Sequence, residues 1–214
     1  MINPELARLL QSGLHSLKLD VPAAQQHALL AYLDLLATWN QSFNLTAIRD
    51  PREMVTQLLL DALVALPYVT RGPVLDVGSG AGLPGIPLAI ARPNLQFTLL
   101  DSNGKKIRFI KQVVITLQLA NVDVVQSRVE NYQASAPFAL IVSRAFSSLE
   151  QFIRLSRHLL APSGEWLAWK GQLDDTELRA VTGTGMAVVH GAIPVHLPQH
   201  RAVRQLVRLG LTPH

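Results

Sequence analysis

Apolar positions recur at helical spacing through the first seventy residues. Leu6, Leu9, Leu10, Leu14 and Leu17 form one stripe, and after Pro22 a second carries Leu29, Leu33 and Leu36 with Tyr32 and Trp39 as neighbours. A third follows Asp50-Pro51 and holds Val55, Leu58, Leu59, Leu63 and Leu66 on one side. Asp50 suits the cap of that helix and Pro51 its first position. Residues 1–70 therefore read as a helical extension, ending near Pro67 to Gly72 and packed on a main domain at 71–214.

From Pro73 the pattern changes. Strands are predicted at 73–77, 95–101, 122–126, 138–142 and 163–170, alternating with helices near 84–91, 104–119 and 148–159. That alternation predicts an α/β fold, a mostly parallel sheet with helices on both faces. The tail adds a helix near 174–182 and β-rich runs at 186–190 and 203–209, separated by Pro194 and Pro198, which predict closing antiparallel strands. Right-handed crossovers bring the C-terminal ends of the parallel strands to one edge, where ligands bind.

At the end of the first of those strands stands Val74-Leu75-Asp76-Val77-Gly78-Ser79-Gly80-Ala81-Gly82-Leu83-Pro84-Gly85-Ile86-Pro87. Glycines such as Gly78 and Gly80 let the backbone turn and let a ligand reach main-chain N–H groups; the helix that follows turns its unpaired donors the same way. Gly80 to Gly85 spells G-x-G-x-x-G, so a nicotinamide dinucleotide is one candidate ligand, S-adenosylmethionine another, and a mere packing turn a third. Asp76 favours S-adenosylmethionine: its carboxylate can meet the cationic amino end of that cofactor and would repel a pyrophosphate. Asp101 ends the next apolar run and can accept from ribose hydroxyls in either cofactor.

The other strand ends deliver further candidates. The backbone at Val129 and the acid Glu130 can read an adenine edge. Arg144 is either a fixed charge beside the reacting atoms, and so a catalytic residue, or a surface arginine in a salt bridge. Lys170 follows the last parallel strand as a second candidate for such a charge or as a solvated lysine. Lys105, Lys106, Arg108 and Lys111 crowd the start of one helix, with Ile107, Ile110, Val114 and Leu117 on its apolar face. Those cations form either a solvated surface or a phosphate-contacting patch, to which Arg201, Arg204 and Arg208 can add.

Composition narrows the options. The 214 residues are 49% hydrophobic and 16% charged, which fits a folded chain rather than long disorder. A formal charge of +4 is compatible with a polyanionic partner without demanding one. There are no cysteines, so disulfides, thiolate zinc sites and cysteine nucleophiles are excluded. No secretory core or membrane span is apparent, which predicts a cytoplasmic protein. His196 and His200 have metal-ligand spacing, but Pro198 between them breaks the helix that spacing needs, so no metal is expected. No nucleophile elbow with a serine–histidine–acid set appears either.

Taken in order, Trp39-Asn40, Asn44-Leu45-Thr46, Arg49-Asp50-Pro51, the glycine segment through Leu83-Pro84-Gly85-Ile86-Pro87, Leu100-Asp101-Ser102, Lys105-Lys106, Arg128-Val129-Glu130, Ser143-Arg144-Ala145 and Lys170-Gly171 resemble one bacterial family. It is the ribosomal RNA small-subunit methyltransferase G family, also called glucose-inhibited division protein B, and the resemblance spans nearly the whole chain. It implies a Rossmann-like methyltransferase moving a methyl group from S-adenosylmethionine to guanine N7 of 16S ribosomal RNA, as naked RNA or in the small ribosomal subunit. The family's cofactor contacts would fall on Gly78, Leu83, Val129, Glu130 and Arg144, beside the Gly80 and Asp101 read from the residues themselves; RNA contacts are expected at Lys105, Lys106 and Lys170. A monomer is expected. Two departures stand out: Leu58 and Ala62 replace a histidine and a serine around the aspartate of the third helix, and Gly210 replaces a basic residue after the last strand. Two rival classes remain open at this level, a nicotinamide-dependent dehydrogenase and a non-enzymatic RNA-binding assembly factor.

Overall fold

A computed structural model describes residues 3–144, 146, 148–171, 173–198 and 204–212. Helix α1 (Pro4–Ser16) starts at Asn3, whose side chain accepts from the Glu5 N–H, and α2 (Ala23–Phe43) ends where Asn44 turns left-handed at φ 48°. Asp50 caps α3 (Pro51–Met54) by accepting from Arg52 and Glu53 N–H groups, as its position before Pro51 predicts. The chain then widens into a π-helical turn (Val55–Leu60) before α4 (Asp61–Leu63). Burial here exceeds a single stripe: Leu60, Asp61 and Ala62 are covered as well as the predicted leucines.

The sheet follows the predicted order. Strands β1 (Val74–Val77), β2 (Phe97–Asp101), β3 (Val122–Gln126), β4 (Phe138–Ser143) and β5 (Leu160–Lys170) pair in parallel, with α5 (Gly85–Ala91), α6 (Gly104–Thr116) and α7 (Leu149–Ser156) between them. Helix α8 (Asp175–Gly183) leads to β6 (Ala187–Val195) and β7 (Arg204–Leu211), which close the sheet antiparallel. Among the described residues the strand order is β3-β2-β1-β4-β5-β7-β6. The chain reverses direction across the sheet between β1 and β4, which opens a crevice at their C-terminal ends.

Some boundaries differ from the pattern. Helix α6 stops at Thr116, and its buried residues are Ile107, Phe109, Ile110 and Val113, while Val114 and Leu117 are only partly covered. After α7 a short 3-10 turn (Arg157–Leu159) takes up the rest of the predicted helix. Strand β6 continues through Pro194 instead of ending before it, because it is an edge strand where the missing N–H costs no ladder bond.

Side chains alternate across the sheet, so its two faces have separate cores. Val74, Leu99, Val142, Leu167 and Trp169 meet the N-terminal helices, α5 and α6; Leu75, Val77, Ile141 and Trp166 meet α7 and α8. The Trp169 indole donates to the Asp61 carbonyl at 2.8 Å, tying β5 to α4.

Candidate active site

Beyond β1 the backbone turns through Gly78 (φ 70°) and Gly80 (φ 60°), a conformation open to glycine and costly for other residues. The N–H groups of Gly78 and Ser79 both donate to the Leu100 carbonyl, folding the loop over the end of β2. Gly80 N–H donates to Asp101 Oδ2 at 2.9 Å, and Asn103 N–H to Oδ1 at 2.8 Å. A carboxylate oxygen carries two lone pairs, so Asp101 holds the loop and keeps acceptor capacity for a ligand.

A cleft of about 310 Å³ opens there, with Val77, Leu100 and Phe146 as apolar walls and Gly78, Asp101, Val129 and Glu130 among its lining. Four of the residues singled out from sequence thus meet in one place. Gly80 sits behind them, bonded to Asp101. Leu83 lies further along the turn, its N–H on the Ser79 carbonyl and its side chain against the core under the N-terminal helices rather than on the cleft wall.

Asp76 also differs from expectation. It is fully buried and turned to the opposite face of β1 from Val77, where Oδ2 accepts from Gly85 N–H at 2.9 Å and Oδ1 has no hydrogen-bond partner among the described residues. Burial pushes its pKa up to about 7, against the opposing pull of the Gly85 N–H, Ser79 and the Arg144 charge. The carboxylate therefore braces the loop from beneath and is not among the residues that line the cleft.

Arg144 is salt-bridged, as one of the two sequence alternatives has it, but the bridge is largely buried and does not lie at the surface. Its Nη2 lies 3.1 Å from Asp61 Oδ2, with side chains 19% and 1% exposed. Arg204 reaches the same acid at 3.6 Å. Arg144 Nη1 is buried and finds no hydrogen-bond partner among the described residues. Arg144, the Asp76 carboxylate and Tyr32 all lie on the face covered by the N-terminal helices, close enough that Arg144 offsets part of the burial effect on both. Tyr32, treated from sequence as a packing neighbour, donates its hydroxyl to the Ala81 carbonyl of the glycine turn at 2.7 Å and is itself fully buried. The signal for it was a hydroxyl inside a leucine stripe, since a buried tyrosine finds a partner for its O–H. For Asp61 it was a lone acid in an apolar run.

The basic residues divide. Lys105 is exposed at the start of α6, and the Lys106 ammonium lies 3.9 Å from Asp101 Oδ2. Lys170 is neither solvated nor presented freely to a polyanion: it lies 2.8 Å from Glu177 and is 11% exposed. Arg204 is committed to Asp61 and Arg208 to Glu165 at 3.0 Å, so neither joins the α6 patch; Arg201 and His200 lie outside the described residues. His196 is exposed, and the described residues contain no group of three or more metal-ligating side chains. No helix among them is long and apolar enough to cross a membrane. Leu58 and Ala62 flank Asp61 and are buried. Gly210 lies within β7 rather than after it, opposite Glu165, with the His190 ring against it where a Cβ would sit.

Residues 25–207 match the family described as rRNA small subunit methyltransferase G, or GidB. Ribosomal RNA small subunit methyltransferase G of Methylobacillus flagellatus is 54% identical over 172 residues, covering 80% of this chain and 84% of its own. The protein of the same name from Laribacter hongkongensis is 47% identical over 202 residues, covering 94% and 97%. Among solved structures, the glycopeptide N-methyltransferase MtfA with S-adenosyl-L-homocysteine superposes with a TM-score of 0.60 at 13% identity, over 72% of this chain and 87% of that one. A ribosomal protein L11 methylase from Lactobacillus delbrueckii subsp. bulgaricus gives 0.54 at 14% identity, over 71% and 77%. Identities that low speak for the fold alone.

Proposed function

The chain belongs to the rRNA small subunit methyltransferase G family, and on that footing we propose that it transfers a methyl group from S-adenosylmethionine to guanine N7 of 16S ribosomal RNA. The observation that carries the proposal is the meeting of Gly78, Asp101, Val129 and Glu130 on one cleft at the switch point of the sheet. Family membership sets aside the dehydrogenase and the non-enzymatic binding factor.

The cleft's donor set fits the cofactor. Val77, Leu100 and Phe146 offer apolar surface to an adenine, Asp101 and Glu130 offer acceptors to ribose hydroxyls and the adenine amino group, and the Val129 backbone faces the same space. Bound there, S-adenosylmethionine supplies an electrophilic methyl group. The chain's part is chiefly positional. Guanine N7 carries a lone pair and no proton, so no side chain has to act as a base. Holding two partners in line is worth up to about 7–11 kcal/mol. The Asp101–Gly80 and Tyr32–Ala81 hydrogen bonds make the glycine turn rigid enough for that task. Arg144, fixed by Asp61, supplies a permanent positive charge near the turn.

Residues 1–70 serve in this proposal as a helical extension on the methyltransferase domain of 71–214, acting as a monomer in the cytoplasm without a metal. Lys105 and Lys106 are its RNA contacts, while Lys170 enters only if RNA displaces it from Glu177. The test is methyl transfer from labelled S-adenosylmethionine to small subunits and to naked 16S RNA, both taken from a strain lacking this protein. Label at a guanine N7 is the expected result; no incorporation into either substrate refutes the assignment.

A further inference from the structure

Helix α2 starts beside Gln118, past the far end of α6, and runs by Tyr32 at the glycine turn, so it ends toward the same edge of the sheet as the cleft. Its last residue, Phe43, is 41% exposed and is one of two large apolar side chains so exposed among the described residues. The other, Ile115, lies near the far end of α6. Phe43 is backed by an aromatic ladder: its ring centroid lies 5.1 Å from Trp39, and that of Trp39 lies 5.6 Å from Phe109 of α6. An exposed ring supported from behind is preorganised to receive a flat partner on its open face.

The charges around it identify the partner. Lys105 and Lys106 stand four and three positions before Phe109, so they continue its face of α6 one turn toward the cleft edge. Lys106 also stands beside Asp101 at the glycine turn. On the other flank Arg49, exposed, is fixed by its hydrogen bond to Asn44 Oδ1 at 2.9 Å, directly after Phe43. A single ring between cations suits a polyanion that carries planar groups. A second copy of this chain would bring like charges together at the same place. A duplex keeps its base faces stacked inside, so only an unpaired nucleotide fits.

We propose that Phe43, supported by Trp39, is a stacking platform for an unpaired base of the RNA that flanks the modified guanine, with Arg49, Lys105 and Lys106 taking the adjoining phosphates. The proposal rests on the ribosomal RNA assignment and adds the form in which that RNA is held: locally single-stranded, with one base on the α2 terminus.

The test varies the RNA in methyl-transfer assays with the wild-type protein and Phe43→Ala, Phe43→Leu and Phe43→Tyr. Loss of one stacked base should raise the KM for RNA about tenfold in the alanine variant. The leucine variant should behave like alanine, because it keeps apolar area without a ring, and the tyrosine variant like wild type. S-adenosylmethionine affinity by calorimetry should stay unchanged in all three, with only a small drop in melting temperature from the lost Trp39 contact in the alanine and leucine variants. Tryptophan emission gives a second readout: Trp166 and Trp169 are 0% and 6% exposed, so an RNA-induced change reports chiefly on Trp39. An unchanged KM in Phe43→Ala, full rescue by leucine, or a drop in sedimenting mass on substitution (a second copy as occupant) overturns the platform. A wild-type protein that methylates no ribosomal RNA brings down the substrate assignment as well. Normal wild-type transfer with an unaltered alanine variant brings down the platform alone.

Discussion

The Asp61 carboxylate and the Arg144 guanidinium lie 3.1 Å apart, joining a helix near the N-terminus to the end of a strand eighty-three positions later in the chain. Asp61 is buried and Arg144 nearly so, and Arg204 shares the acid. Removing Arg144 leaves Asp61 with Arg204, so the cost should lie at or below the ~3–5 kcal/mol typical of breaking a buried pair. Arg144→Ala should therefore lose stability as well as methyl transfer. The double variant Asp61→Ala/Arg144→Ala should regain part of the stability in urea melts while transfer stays lost. If the loss in the double variant equals the sum of the losses in Asp61→Ala and Arg144→Ala, the two residues are not energetically coupled.

Tyr32→Phe removes one hydroxyl and leaves the Ala81 carbonyl without that donor. Such a loss costs about 1–3 kcal/mol. Part of it should appear as looser cofactor binding, about fivefold or roughly 1 kcal/mol, because the turn is then less well ordered. Calorimetric titration with S-adenosylmethionine checks this; a melting change with no affinity change would make Tyr32 purely a packing residue.

Gly78 holds φ at 70° where the loop leaves β1. A β-branched residue there meets a left-handed penalty of about 1–2 kcal/mol and places a Cβ at the cleft. Gly78→Val should abolish measurable S-adenosylmethionine binding while the chain still melts cooperatively. Undiminished affinity would move the cofactor away from this turn.

Asp76 gives stability a pH dependence. Its folded pKa is raised from 3.8 to about 7, so between those values the folded chain keeps a proton that the unfolded chain has released. Its contribution is complete below the unfolded pKa and disappears as pH rises through about 7. Asp76→Asn removes that titration and keeps an acceptor for Gly85 N–H. Wild-type stability relative to the variant should fall between pH 4 and 8, by up to roughly 4 kcal/mol. Parallel stability curves for the two proteins would show that the carboxyl titrates normally.

Lys105→Ala should reduce the salt slope of RNA binding by about 0.7–0.9, one phosphate contact. Lys106→Ala should do the same and also weaken cofactor binding, because its ammonium neighbours Asp101. Filter binding across a salt series reads the slopes and calorimetry with S-adenosylmethionine separates the two variants; an unaltered slope in both would place the RNA surface elsewhere.

Elements, their order and the glycine turn were legible in the chain because their causes are local. Leucine spacing, the Asp50–Pro51 start, the Gly78 and Gly80 turn and the acid ending β2 each act within a few residues. Convergence of Gly78, Asp101, Val129 and Glu130 followed from the handedness of parallel crossovers, which needs no side-chain detail.

What the tertiary structure alone decided is the direction in which the charged and polar side chains face. Strands covered on both sides are apolar throughout, so their pattern does not say that Asp76 lies under the loop while Val77 lines the cleft. Asp61 with Arg144, Glu165 with Arg208, and Tyr32 with Ala81 are pairs whose members sit far apart in the chain. A buried charge or hydroxyl must find its complement somewhere, but which one it finds depends on how helices pack across the sheet, and no stretch of residues carries that information by itself.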